Sequence, residues 1–171
     1  MTTEHLNQIT ELRHELHRHP ELSLCETKTM ERIRRFLSSH TSWRMVERDG
    51  WFYAVKGGTD PKALRIAFRA ELDALPIAEG DEFPYASQNA GVSHKCGHDG
   101  HCAALCGLAL ALDSVQTEET FYRIFEPAEE IGAGGERCAA LIREEGIDEI
   151  YAFHNRSGFP EGALIYRRGL T

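Results

Sequence analysis

Strand patterns and helix patterns alternate along most of this chain. Runs typical of buried strands cover residues 63–70, 120–125 and 150–153, and helix patterns at 101–113 and 135–145 separate them. Alternating elements of this kind pack as helices against a sheet. The sequence therefore predicts an α/β fold in which helices flank a mixed β-sheet.

Two amphipathic helices are predicted before the first strands. Apolar residues recur at steps of three and four over residues 4–18 and again over 26–39. The first of these helices carries His14, His17 and His19 among arginine and glutamate neighbours. We interpret these histidines as part of a solvated, charged helix end rather than as metal ligands.

A β-hairpin is predicted after the two helices. Strand patterns at 43–48 and 51–56 are separated by Asp49-Gly50, a dipeptide that favours a two-residue turn. A last short strand is expected at 163–166, after a turn at 158–162.

Length and charge limit the classes of partner. With 171 residues, of which 42% are hydrophobic, the chain is long enough for one globular domain with a substantial core. Its formal net charge of -8 leaves no basic stripe for binding phosphates. We therefore expect a small-molecule partner, and neither nucleic acid nor an anionic membrane.

The N-terminal region and the cysteines predict a cytoplasmic protein. Residues 1–21 are interrupted throughout by charged residues and histidine, so they lack the apolar segment of a signal peptide or membrane span. The five cysteines lack the spacing of a disulfide framework, so we expect free thiols. Cys102 and Cys106 lie in the apolar pattern at 101–113 and are interpreted as core residues.

The stretch from His94 to His101 carries the strongest chemical signal. It reads His-Lys-Cys-Gly-His-Asp-Gly-His, so five potential metal ligands fall within eight residues. It lacks the paired CxxC units that are typical of structural zinc sites. The stretch therefore predicts an open, catalytic metal site whose other ligands lie elsewhere in the sequence.

Further polar residues follow the predicted strands. Asp73 follows the first buried strand, Glu129 and Glu130 follow the second, and His154 follows the third. Ligands of α/β sheets bind beyond the strand ends. We therefore expect these residues and the stretch 94–101 to converge on one crevice.

Cys96, His98, Glu130 and His154 offer donor atoms for one metal ion and part of a second. Two ions about 3.5–4 Å apart take about five or six protein ligands, which is more than these four. One of the adjacent glutamates can bind metal while the other accepts a proton from water, and a solvated acidic turn is the alternative. Asp73 is either a turn or helix-cap carboxylate or a group that orients a histidine ligand.

Four motifs, in this order, resemble those of the metal-dependent N-acyl-amino-acid amidohydrolases, the relatives of hippurate hydrolase and the plant auxin-conjugate hydrolases. They are the segments 16–22, 69–76, 94–101 and 125–130. The resemblance covers the whole chain and is most specific at HxCGHDxH and PAEE. It implies a zinc-peptidase-like catalytic domain.

The resemblance also implies a role for individual residues. Cys96, His98, Glu130 and His154 would bind divalent metal, two ions per complete site, of manganese, zinc, nickel or cobalt. Glu129 would be the general base, and we place Asp73 with it among the catalytic residues. The implied reaction is hydrolysis of the amide bond of an N-acyl amino acid or short peptide by a metal-activated water, which yields a carboxylic acid and an amino acid.

The chain departs from the family pattern in two local features and in length. Relatives usually carry Asp at the position of Glu71, and a proline where this chain has Ser157-Gly158. Family members continue through an inserted lid or dimerisation domain and then the rest of the catalytic domain, each of which supplies a histidine. Residues 1–171 are therefore expected to be the N-terminal part of the catalytic domain.

The short length supports a second hypothesis, a catalytically incompetent fragment that retains partial metal binding or needs a complementary C-terminal chain. Missing strands would leave an unpaired sheet edge, so self-association is expected. A third interpretation is a small metal-binding module built on Cys96, His98, His101 and a carboxylate. It leaves the Glu129-Glu130 pair unexplained.

Overall fold

The computed structural model describes residues 1–80, 82–156, 158–160 and 162–163. Four helices and five strands alternate much as the sequence predicts. In chain order they are α1 (Thr3–Arg18), α2 (Thr27–His40), β1 (Arg44–Arg48), β2 (Trp51–Lys56), β3 (Arg65–Glu71), α3 (His98–Asp113), β4 (Thr120–Glu126), α4 (Gly134–Glu144) and β5 (Glu149–Ala152).

The predicted hairpin joins β1 and β2. Arg48 pairs with Trp51 in antiparallel register, so the turn consists of Asp49 and Gly50. Gly50 has a φ of 75°, which a glycine adopts without a steric penalty.

The five strands form one mixed sheet in the order β1-β2-β4-β3-β5. The β1/β2 and β2/β4 pairs are antiparallel, whereas β3 is parallel to both β4 and β5. This confirms the predicted α/β fold with a mixed sheet. Because β3, β4 and β5 run in the same direction, their C-terminal ends lie at one edge of the sheet.

Helices cover both faces of the sheet. On β2, Phe52 and Ala54 pack into one core with residues of α1, α2 and α3. Tyr53 and Val55 point to the opposite face and pack with Cys138 and Leu141 of α4. Successive strand residues face opposite sides, so one strand contributes to both cores. Cys102 and Cys106 of α3 lie in the first core, as the sequence indicates.

Some element boundaries differ from the sequence-based expectations. Strand β3 covers Arg65–Glu71 rather than 63–70, and α3 begins at His98 rather than at residue 101. The strand expected at 163–166 lies largely outside the described residues. None of the helices in the described part of the chain combines the length and apolarity that a bilayer span requires.

Candidate metal centre

The turn into α3 places the residues of the His94–His101 stretch. Gly97 has a φ of 98°, and His98 follows as the first residue of the helix. A Cβ atom on Gly97 would lie 2.5 Å from Oδ1 of Asn155. The conformation favours glycine, and a larger residue would also require the Asn155 side chain to shift. The stretch is therefore a short turn followed by the first helical residues of α3.

The structure brings together the three sulfur and nitrogen donors that the sequence predicts. The Cys96 Sγ atom lies 3.3 Å from Nε2 of His154. Cys96, His98 and His154 each place a donor atom within 4.8 Å of the other two. They come from the turn before α3, from α3 itself and from the segment after β5.

The Glu129-Glu130 pair completes this arrangement from the end of β4. The Nε2 atom of His98 lies 3.8 Å from Oε2 of Glu129 and 3.8 Å from Oε1 of Glu130. All of the residues predicted to bind metal therefore lie in one cluster. The distances from His98 do not distinguish the two glutamates.

A divalent cation fits this cluster. The His98 Nε2 and Glu130 Oε1 atoms are buried and have no hydrogen-bond partner among the described residues. Buried polar atoms of this kind are costly unless they are paired. A cation bound between an imidazole nitrogen, a carboxylate oxygen and a sulfur would satisfy both atoms with ligands that transition metals accept.

The charge around Cys96 also favours a cation. Burial raises the pKa of the Cys96 thiol to about 12, with a further contribution from the Glu130 carboxylate. The thiolate is the form that binds metal. A positive ion at this position would stabilise the thiolate against the surrounding carboxylates.

Asp73 lies next to Nδ1 of His98, the ring nitrogen opposite the one that faces the two glutamates. The backbone oxygen of Asp73 is 2.9 Å from Nδ1 of His98, and its Oδ1 atom is 3.4 Å from the same nitrogen. Burial acts to raise the pKa of Asp73, but its contacts with His98 and Ser23 outweigh this effect and the pKa is lowered. The backbone oxygen of Asp73 can thus accept the Nδ1 hydrogen bond and fix the tautomer and orientation of the His98 ring, with the ionised carboxylate beside it.

Glu71 and Asn155 belong to the same site, although neither is among the site residues predicted from the sequence. Glu71 Oε2 lies 2.7 Å from Nδ1 of His101, and Asn155 Oδ1 lies 2.6 Å from its Nε2. Arg69 holds the other Glu71 oxygen at 2.8 Å. Glu71 is the last residue of β3 and precedes Asp73 by two residues. Its position at this strand end was the sequence signal that could have identified it as a site residue.

The interpretation of His17 as part of a solvated helix end was wrong. His17 is buried, with Nδ1 2.8 Å from Asp99 Oδ2 and Nε2 2.9 Å from Glu79 Oε2. Arg13 also contacts Asp99, and Lys95 contacts Glu79. The prediction was wrong because the residues next to His17 in the sequence are charged, although His17 itself lies on the buried side of α1. The network ties α1 to the segment that carries the metal donors.

His94 lies beside this network rather than in the metal cluster. Its ring is buried, and neither ring nitrogen has a hydrogen-bond partner within the described ranges. Burial lowers the pKa of His94 to about 4.

Comparison with known proteins agrees with the motif resemblance. Residues 67–168 match the model of peptidase family M20/M25/M40. An N-acetylcysteine deacetylase of Bacillus subtilis is 36% identical over 171 residues, which is 95% of this chain and 43% of the relative. An N-acetyldiaminopimelate deacetylase of Leuconostoc mesenteroides is 36% identical over 160 residues, 89% of this chain and 41% of the relative.

Solved structures show the same fold. The Bacillus subtilis YXEP protein, described as a dinuclear metal binding peptidase, superposes with a TM-score of 0.87 at 33% identity over 94% of this chain and 45% of its own. The chain thus spans less than half the length of these relatives. The family match and the mixed sheet together confirm the resemblance inferred from the four motifs. The chain belongs to peptidase family M20/M25/M40.

Proposed function

We propose that this chain provides most of the metal centre of an amidohydrolase that cleaves the amide bond of N-acyl amino acids or short peptides. The observation that carries the proposal is the cluster of Cys96, His98, Glu130 and His154 with two unpartnered buried donor atoms. The names of two relatives, both deacetylases of N-acetylated amino acids, support the substrate class. The cytoplasmic location stays a prediction.

Each residue of the site has a separate role in the proposed hydrolysis. Cys96, His98, Glu130 and His154 hold divalent metal, which supplies a Lewis acid and lowers the pKa of water when bound. Glu129 accepts a proton from the attacking water and returns it to the departing amine. Asp73 orients His98 through its backbone oxygen, which contacts Nδ1.

The environment of the two glutamates supports this assignment. The Glu129 side chain is 37% exposed and the Glu130 side chain 20%. The more exposed carboxylate has access to water and substrate, whereas the buried, unpartnered oxygen of Glu130 suits a ligand.

A site with two metal ions takes about five or six protein ligands, and this chain supplies four. We infer that residues 1–171 are the N-terminal part of a catalytic domain, and that a lid domain and a C-terminal part supply the remaining groups. The alternative, a fragment that binds metal without catalysing hydrolysis, is supported by the exposed β5 residues Ile150 and Tyr151 at the sheet edge.

Metal analysis combined with an amidase assay tests the proposal. The 171-residue chain is loaded with manganese, zinc, nickel or cobalt and assayed on a panel of N-acyl amino acids. Two ions per chain with turnover would support a self-sufficient enzyme. One ion without turnover, with activity restored by a complementary C-terminal chain, would support a divided site. Absence of bound metal would contradict the proposal.

A further inference from the structure

The backbone turn that presents Glu129 and Glu130 has an unusual conformation. Ala128, which precedes the pair, is buried and has a φ of 52°. A residue with a Cβ atom is sterically disfavoured in the left-handed region, so surrounding contacts must hold it there. The Ala128 oxygen accepts hydrogen bonds from the amides of Ala133 and Gly134 at 3.0 and 3.3 Å.

A buried carboxylate from the opposite end of the sequence holds the amide of the same residue. The Ala128 N–H donates to Oε1 of Glu26 at 2.6 Å. Glu26 lies at the N-terminus of α2 and is 2% exposed. Burial raises the pKa of Glu26, and the hydrogen bond from Ala128 opposes that effect.

A second carboxylate holds the turn two residues further on. The Glu130 N–H donates to Oδ2 of Asp73 at 3.0 Å, and the Ser23 hydroxyl donates to the same oxygen at 2.7 Å. The amides on either side of Glu129 are therefore each bound to a buried carboxylate. This fixes the backbone on both sides of Glu129.

The segment that carries Ser23 and Glu26 is itself anchored. Glu21 Oε2 accepts hydrogen bonds from the Thr29 amide at 2.7 Å and the Thr29 hydroxyl at 2.8 Å. The Ala74 amide donates to the backbone oxygen of Glu21 at 2.8 Å, which ties the segment to the residues that follow β3. Because the segment is held in place, its residues Glu26 and Ser23 can hold the turn after β4 in place.

We propose that Glu26 is a positioning residue for the metal centre. By accepting the Ala128 amide, it fixes the left-handed turn that directs the Glu129 and Glu130 carboxylates toward His98. Glu26 itself does not bind the ion. This inference rests on the proposed function, in which Glu130 is a metal ligand.

Zinc affinity of the 171-residue chain tests this role. It is measured by competition with a chromophoric chelator for wild type, Glu26→Ala and Glu26→Gln. Glu26→Ala leaves the Ala128 amide without its acceptor, and we expect about 10–100-fold weaker zinc binding. Glu26→Gln keeps an oxygen acceptor on a side chain of the same length, so it is expected to recover most of the affinity.

Val55→Ala serves as the matched control for loss of stability alone. Val55 is buried on β2 and pairs with Tyr122, away from the end of β4 that carries the turn. We expect it to lower the thermal midpoint without changing zinc affinity. If Glu26→Ala does not fold, Glu26→Asp withdraws the carboxylate by one methylene group, and weaker zinc binding is again expected.

The outcomes separate this inference from the proposed function. Equal zinc affinity in wild type and Glu26→Ala would overturn the positioning role while leaving the metal centre intact. Failure of Glu26→Gln to bind better than Glu26→Ala would also overturn it. Absence of binding of zinc, and also of manganese, nickel and cobalt, by wild type would overturn the proposed function and this inference together.

Discussion

The adjacent Glu129 and Glu130 are the same residue type in different surroundings. The Glu130 amide is bound to Asp73, and one of its carboxylate oxygens is buried without a partner in the described structure. Glu129 lies at the same distance from His98 but is more exposed. On the basis of these surroundings we propose that Glu130 binds the metal and Glu129 transfers the proton.

Substituting each glutamate separately tests the assignment. We expect Glu129→Gln to keep the metal content of wild type while lowering turnover about 10²–10⁴-fold, because it removes the proton acceptor. Glu130→Gln is expected to lose metal during dialysis. Metal content is measured by atomic emission. Turnover is measured as hydrolysis of an N-acetyl amino acid, with the complementary C-terminal chain added where activity requires it. The reverse pattern would mean that the two roles are exchanged.

The metal-binding residues could be predicted from their residue types, whereas the contacts that support them could not. Cys96, His98 and His154 stand out because thiol and imidazole groups near predicted strand ends are chemically distinctive. The Glu26–Ala128 contact joins residues 102 positions apart. No periodic pattern connects such positions, so the support of the turn could be found only in the folded structure.

Helix α1 and the start of α3 are joined by a buried charged network. His17 lies between Asp99 and Glu79, with Arg13 and Lys95 on the outer sides of the two carboxylates. Its hydrogen bond to Asp99 is the largest influence and raises the pKa of His17 above 6.5, against the opposing effect of burial. The charged imidazole therefore stabilises the contact between the two helices.

This pKa shift predicts a pH-dependent contribution to stability. A raised folded-state pKa contributes stability that is complete below the unfolded value of 6.5 and is lost as pH rises through the folded value. We expect wild type to exceed His17→Gln in free energy of unfolding most strongly below pH 6.5. Urea unfolding of the metal-free proteins over about pH 5.5–8.5 measures this difference. A difference that grows with rising pH would contradict the assignment.

The turn before α3 depends on a single glycine. Gly97→Ala adds a Cβ atom at a φ of 98° and 2.5 Å from Asn155 Oδ1. We expect a loss of at least about 1–2 kcal/mol in the free energy of unfolding. Gly100→Ala is the matched control, because its Cβ would meet only Arg13 Nε at 3.9 Å, and it lies within α3. It is expected to be neutral or stabilising by up to about 1 kcal/mol. Equal effects of the two substitutions in denaturant unfolding would refute this account of the turn.

The elements themselves follow largely from sequence pattern. The hairpin turn was predicted to the residue because Asp49-Gly50 has a defined turn geometry, whereas β1 begins at Arg44 rather than at residue 43. The start of α3 was predicted three residues late, since His98, Asp99 and Gly100 carry no apolar signal of a helix. Tertiary contacts, here of His98 with Asp73 and of Asp99 with His17, determine that the helix includes them.

At the scale of the whole molecule, β5 is the outermost strand of the described sheet. Its residues Ile150 and Tyr151 are 46% and 51% exposed. An exposed apolar edge strand is a site for pairing with another chain. The strand order could not be read from the sequence, because pairing between distant segments leaves no local pattern.

This edge predicts self-association of the 171-residue chain. Sedimentation velocity at increasing concentration measures it, and Ile150→Lys is expected to reduce it because a charge opposes edge pairing. Leu6→Lys is the control, since Leu6 is 50% exposed on α1 and away from the sheet edge. A monomer at all concentrations, or equal effects of the two substitutions, would contradict this role of β5.

The central claim is that Cys96, His98, Glu130 and His154 form a metal centre, and a cobalt(II) titration followed by absorption spectroscopy tests it most directly. A cysteine thiolate bound to cobalt(II) gives a charge-transfer band in the near ultraviolet. We predict that this band grows to saturation in wild type and is absent in Cys96→Ser. Absence of the band in wild type, or its persistence in Cys96→Ser, would contradict the account.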